Sequence, residues 1–178
     1  MTYVAMLRGV NVGGKNKLPM KNLAALFEEL GFDAVKTFIQ SGNVIYRDAS
    51  QDPTAAAGKI ANEIERRFGL RVPVIIRSRE EMRKVVESNP LLVAESGSDQ
   101  DLHVAFLADE PASAQIASLD PQRSPPDRFE LKGREIYLLL PNGVAQSKLT
   151  NAYFDSKLKT VSTVRNWRTV TSLLEAMG

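Results

Sequence analysis

Residues 3–31 read YVAMLRGVNVGGKNKLPMKNLAALFEELG. Tyr3–Leu7 is a run of apolar and aromatic residues of strand length. A glycine-rich segment follows, Gly9-Val-Asn-Val-Gly-Gly-Lys-Asn-Lys17. Pro19 suits the first position of a helix, where its missing N–H is not needed. Met20, Leu23, Phe27 and Leu30 then recur at helical spacing and define one apolar face. Gly31 stops the helix, and Phe32 can fold back on it.

Working outward, Val35–Ile39 and Val44–Tyr46 read as two short strands joined by Gln40-Ser-Gly-Asn43, whose Gly and Asn tolerate a tight turn. Asp52 and Pro53 open a second helix with Ile60, Ile64 and Phe68 on its core face, and Val72–Arg77 is a fourth strand. The order β-α-β-β-α-β is that of a ferredoxin-like unit. Ser78-Arg-Glu-Glu81 forms a capping box that starts a further helix, broken by Asn89-Pro90.

A second series starts at Leu102–Leu107. It continues with a helix near Pro111–Leu119, strands Arg128–Leu131 and Glu135–Leu140 around a Lys132-Gly133 turn, and a helix around Ala145–Phe154. An extended piece at Thr160–Thr163 precedes a closing helix carrying Trp167, Val170, Leu174 and Met177 on one face. The expected class is therefore α+β: two tandem ferredoxin-like βαββαβ halves with antiparallel sheets, plus linker and C-terminal helices. The expected divisions are 1–78, a linker at 79–101, and 102–178.

Composition narrows the chemistry. The chain has 178 residues, of which 43% are apolar and 25% charged, an ordinary globular balance. Having no cysteine and a single histidine, it offers no thiolate or multi-histidine metal site, no disulfide and no cysteine nucleophile. No metal or cofactor is called for. No run approaches the ~20 apolar residues of a membrane span, and the expected location is the cytoplasm. Net charge is only +2 but unevenly distributed. Residues 1–27 carry Arg8, Lys15, Lys17 and Lys21 without an acid, whereas 95–130 carry eight acids against Arg123 and Arg128. Such a layout can produce a local positive field on a near-neutral protein.

Gly9-x-x-x-x-Gly14-Lys15-Asn16 approaches a phosphate-cradling loop but has Asn where that loop needs a Mg²⁺-binding Ser or Thr. The weaker expectation is anion binding by glycine backbone N–H groups with Lys15 and Lys17 beside a helix start, set against a plain glycine turn with solvated lysines. Thr163-Val-Arg-Asn-Trp-Arg-Thr169 places an indole between two guanidiniums. Trp167 is open between core and ligand-facing roles. Ser41-Gly-Asn43 offers a hydroxyl and an amide, or a simple hairpin turn. Ser147-Lys148 lacks the spacing of a Ser-x-x-Lys acylase and reads as helix surface. His103, early in a strand without a nearby partner, reads as structural, and no catalytic residue is assigned.

The segments Arg8-Gly-Val-Asn-Val-Gly-Gly-Lys-Asn16, Ile39-Gln-Ser-Gly-Asn-Val44, Ser147-Lys-Leu-Thr150 and Thr163-Val-Arg-Asn-Trp-Arg-Thr169, in this order, resemble a widespread bacterial family catalogued as domain of unknown function 1697. The resemblance implies two ferredoxin-like halves and no established activity. It marks Arg8, Asn11, Lys15, Ser41, Asn43, Lys148, Arg165 and Asn166 as motif residues, and Gly13 and Gly14 lie within the first motif. Their polar and cationic character leads to one expectation: a positive site for a phosphate-bearing small ligand, such as a nucleotide, built from the glycine loop, the 40–43 turn and the 165–168 helix start, with Arg165 opening the last helix. The alternatives are a nucleic-acid-binding module and an oligomerising scaffold.

Overall fold

A computed structural model describes residues 1–38, 42–94 and 99–178, with 93 and 94 described by their backbone alone. The first half runs β1 (Thr2–Leu7), α1 (Met20–Glu29), β2 (Asp33–Phe38), β3 (Asn43–Arg47), α2 (Pro53–Phe68) and β4 (Val74–Ser78), followed by α3 (Arg79–Glu87). Its four strands form one antiparallel sheet in the order β2-β3-β1-β4. That order is the ferredoxin-like one, with the first strand central.

β1 is central because it is apolar on both faces. Alternate side chains point to opposite sides of a strand. Tyr3, Ala5 and Leu7 join Leu23, Leu26 and Phe27 of α1 and Ile60 and Ile64 of α2 in one core, while Val4 and Met6 are fully buried on the other face. Each fully enclosed Leu, Ile or Phe contributes roughly 1.5–3 kcal/mol. The ends of the helices behave as their residues dictate. The Asp52 carboxylate accepts from Ala55 N at 2.9 Å with Pro53 inside the first turn, and Gly69 N donates to Glu65 O at 2.9 Å. Phe32 returns on α1, its N–H bonded to Phe27 O at 3.2 Å and its ring 5.7 Å from that of Phe27. The capping box is reciprocal: Ser78 Oγ accepts from Glu81 N at 3.2 Å, and the Glu81 carboxylate accepts from Ser78 N at 2.7 Å.

The second half runs α4 (Leu91–Ala94), a short 3₁₀ turn at Asp99–Asp101, β5 (Leu102–Leu107), α5 (Ser113–Ala117), β6 (Arg128–Lys132), β7 (Glu135–Leu139), a 3₁₀ turn at Val144–Gln146, α6 (Asn151–Leu158), β8 (Ser162–Asn166) and α7 (Trp167–Ala176). Its sheet, β6-β7-β5-β8, repeats the order of the first. The two halves are thus antiparallel α+β units of the same ferredoxin-like topology.

Several bounds differ from expectation: Pro19 is the N-cap of α1, not its first helical residue, β4 and α5 are shorter than read, α4 was not foreseen, and Leu173, not Leu174, is buried on α7. Two differences bear on the motif residues. The helix expected around Ala145–Phe154 begins later, because Thr150 Oγ1 accepts from Tyr153 N at 3.2 Å and so caps α6 at Asn151; Ser147 and Lys148 lie in the loop before it. The extended piece at Thr160–Thr163 is a strand that continues to Asn166, because its ladder with β5 runs as far as His103↔Asn166. Arg165 is therefore a strand residue. The chain divides into two compact units, Met1–Arg83 with Leu173–Gly178, and Lys84–Ser172. No helix among the described residues is long and apolar enough to cross a membrane.

Candidate functional site

The segment between β1 and α1 is a tied loop. Its root is held twice: Leu7 N donates to Gly42 O at 2.8 Å, and Arg8 N donates to Pro73 O at 3.0 Å. Val10 and Leu18 anchor it by complete burial. At the tip, Lys15 N donates to Val12 O at 3.0 Å, and Gly13 and Gly14 take φ of 57° and 73°. Positive φ at both central residues is the geometry of the tightest hairpin turns, and it favours the Gly-Gly pair found there.

The flanks are laced by amide side chains. Asn11, at φ 56°, accepts from Leu18 N at 2.8 Å and donates to Leu18 O at 2.8 Å. Asn16 Nδ2 donates to Gly9 O at 3.1 Å, and Asn11 N donates to Asn16 O at 3.2 Å. Asn11, expected among ligand-facing residues, thus uses its amide to tie the two flanks of the loop together ahead of α1. Lys15 and Lys17 project from this frame, both exposed, as is the Gly13-Gly14 backbone. Among the described residues neither lysine is ion-paired with an acid. Arg8 is half-buried at the loop's root. A cleft of about 520 Å³ beside the tip is lined in part by Asn11, Gly14, Lys17 and Lys21.

Gly42 explains why the turn motif meets this loop. It has φ 77°, and a Cβ placed on it would lie 3.0 Å from Leu7 Cβ and 3.3 Å from Val10 Cβ. Only glycine lets the turn close on the loop's root without a shift. Its neighbour Asn43, expected to face a ligand, has no exposed surface; its amide donates to Phe38 O at 3.4 Å, inside the hairpin. Ser41 lies outside the described residues.

The remaining motif residues belong to the second unit. Lys148 is exposed, and its backbone is clamped: its N–H donates to Ser124 Oγ at 2.9 Å, and its carbonyl accepts from Arg123 Nε at 3.0 Å. The Arg123 guanidinium in turn lies 4.0 Å from the Tyr153 ring centroid. Arg165 is half-buried on β8, with Nη1 donating to Thr163 Oγ1 at 2.8 Å and to Val164 O at 3.0 Å. Burial pushes its pKa down to about 10, so the guanidinium stays charged at neutral pH. Asn166 caps α7, its Oδ1 accepting from Thr169 N at 2.8 Å.

His103 acquires a setting that its strand context alone did not suggest. It pairs with Asn166 across the sheet and, with Trp167 and Arg168, lines a cleft of about 440 Å³ at the start of α7. Trp167 is only 4% exposed, so it is a core residue with one edge on this cleft. A signal was present in the sequence: His103-Val-Ala-Phe-Leu107 repeats Tyr3-Val-Ala-Met-Leu7. Register makes the two strands equivalent, since Val4 pairs with Arg77 and Val104 with Arg165. A histidine thus stands at the strand start where the first half has a buried tyrosine.

These features define a class, a tandem pair of ferredoxin-like units with a cationic, tied loop on the first. The chain belongs to the family described as protein of unknown function DUF1697, whose model matches residues 1–137. It is similar over its length to the structure of the conserved bacterial protein SP0830 from Streptococcus pneumoniae, at 23% identity and a TM-score of 0.65, covering 99% of this chain and 98% of that one. That likeness is one of fold. No curated protein matches the chain.

Proposed function

We propose that the protein binds an anionic, phosphate-bearing small ligand, such as a nucleotide, at the loop between β1 and α1. The observation that carries this reading is the exposure of Lys15 and Lys17, unpaired with acids among the described residues, on a loop that Asn11 and Asn16 hold in place. Pre-organisation matters because a ligand then need not order the loop on binding. Backbone N–H groups at the Gly13-Gly14 tip add donors that carry no desolvated charge. Arg8 and Lys21 extend the positive field, and no acid lies within residues 1–27. A cysteine-free chain suits a reducing cytoplasm, the setting proposed for this ligand.

A nucleic-acid role is less well supported. The aromatic residue of β3, Tyr46, is completely buried, so it offers no platform on which a base could stack.

The test is calorimetric titration of the full chain with pyrophosphate and with ATP at low salt. Saturable binding is expected, with Lys15→Ala and Lys17→Ala each weakening it about tenfold, the loss of one charge-assisted contact. Absence of saturable binding by either probe, or unchanged affinity in the double variant, refutes the proposal. Binding only by oligonucleotides, with a steep salt dependence, replaces it with the nucleic-acid alternative.

A further inference from the structure

We infer that the cleft at the start of α7, lined by residues of the second unit, is a further binding site, for a small zwitterion: Asp99 and the His103 imidazole receive its ammonium end, and Arg168 with the N-terminus of α7 receives its anionic end. The cleft of about 440 Å³ lies within the size range of small-molecule sites and is lined by all four of these features.

Asp99 and Arg168 carry opposite charges and are both exposed, yet neither forms an ion pair among the described residues. Two opposite charges on one cleft, not satisfied by each other, suit a ligand that carries both signs. His103 adds a buried polar group. It is 8% exposed and its Nδ1 lies 3.2 Å from Asp101 O. A carbonyl can only accept, so Nδ1 carries the hydrogen. Burial lowers the ring's pKa, which keeps it neutral and leaves Nε2 as a lone-pair acceptor with no protein donor among the described residues. An acceptor in that place calls for an N–H on the ligand. At the other end, the Asn166 Oδ1 is occupied by Thr169 N, so its amide N–H₂ is left as a donor beside Arg168. The positive end of the α7 dipole favours an anion at the same place.

The chain carries its own reporters, since His103 is its single histidine and Trp167 its single tryptophan, and both line the cleft. The experiment titrates the full chain with glycylglycine, acetate and ethylammonium, following the imidazole resonances and the indole fluorescence. The expected result is a saturable response to glycylglycine, with acetate and ethylammonium at least about tenfold weaker because each satisfies one charge alone. Asp99→Asn and Arg168→Ala should each weaken glycylglycine about tenfold while leaving the melting temperature unchanged, both side chains being exposed. Lys15→Ala should leave this response intact, which keeps the outcome independent of the loop proposal. No saturable response to any probe overturns the inference. So does acetate binding as tightly as glycylglycine, or full affinity in both cleft variants.

Discussion

The loops that follow the central strands, Arg8–Pro19 after β1 and Ala108–Ala112 after β5, leave the same frame and end in opposite chemistry. Leu7 N donates to Gly42 O and Leu107 N to Arg134 O, each at 2.8 Å; Arg8 N then donates to Pro73 O at 3.0 Å, and Ala108 N to Val161 O at 2.9 Å. From these matched roots the first loop carries exposed Lys15 and Lys17, whereas the second is short and exposes Asp109 and Glu110. Thr160 Oγ1 donates to the Asp109 carboxylate at 3.2 Å and accepts from its N–H at 3.0 Å, closing that loop on its own half. The repeat therefore supplies a position, and loop length and charge decide what the position does. Function on such folds is set by the site, not by the fold.

The turns at the loop roots give the largest test of this comparison. Gly42→Ala is expected to cost about 2–4 kcal/mol, combining left-handed strain with overpacking against Leu7 and Val10. Gly133→Ala, at φ 59° with its nearest atom, Glu135 Oε2, 4.0 Å from the new Cβ, should cost only about 1–2 kcal/mol. Urea denaturation of the two variants measures the difference, and equal costs would break the claim that the first turn is specially packed against its loop.

The lacing of the loops comes next. Asn11→Ala removes two 2.8 Å hydrogen bonds to Leu18 and should cost about 2 kcal/mol, with faster amide exchange at Lys15. Asp109→Ala removes the weaker tie to Thr160 and should cost about 1 kcal/mol or less. A similar loss in both would mean that the first loop is no better fixed than the second.

Buried tyrosines sharpen the contrast at smaller magnitude. Tyr137 Oη donates to Val85 O at 3.0 Å, so Tyr137→Phe should destabilise by about 1 kcal/mol. Tyr46 Oη is buried without a partner among the described residues, and burial drives its pKa well above the ordinary value. Tyr46→Phe should therefore leave stability unchanged or raise it by up to about 1 kcal/mol. Thermal melts of the pair decide it.

The smallest effect concerns pH. Burial lowers the pKa of His103, while the Asp101 carbonyl opposes that shift. The unfolded chain, with His near 6.5, binds the proton more readily than the native state as pH falls. The neutral ring's contribution is thus fully present above about pH 6.5 and is lost as pH drops through the lowered native value. Unfolding measured from pH ~7.5 to ~5.5 should show a shallower decline in His103→Gln than in the parent chain. Parallel declines would mean that His103 does not sense its burial.

Local patterns in the chain carry their own structural consequences, because the forces that act on them are local. The apolar run Tyr3–Leu7, the helical spacing of Leu23 and Phe27, the Asp52-Pro53 start and the Ser78–Glu81 box each satisfy nearby backbone groups or one face, and each element forms where its pattern lies. The exposure of Lys15 and Lys17 was legible for the same reason: charged side chains beside glycines in a loop have no core to enter. What needs partners distant in sequence was decided by tertiary structure. Ladder pairing with β5 made Arg165 a strand residue, and the cap at Thr150 displaced the helix expected to hold Ser147 and Lys148. Closure of the first hairpin sealed Asn43 inside. His103 and Asn166, far apart along the chain, became neighbours on one cleft only when β5 and β8 paired, because a hydrogen-bond ladder fixes which side chains stand side by side.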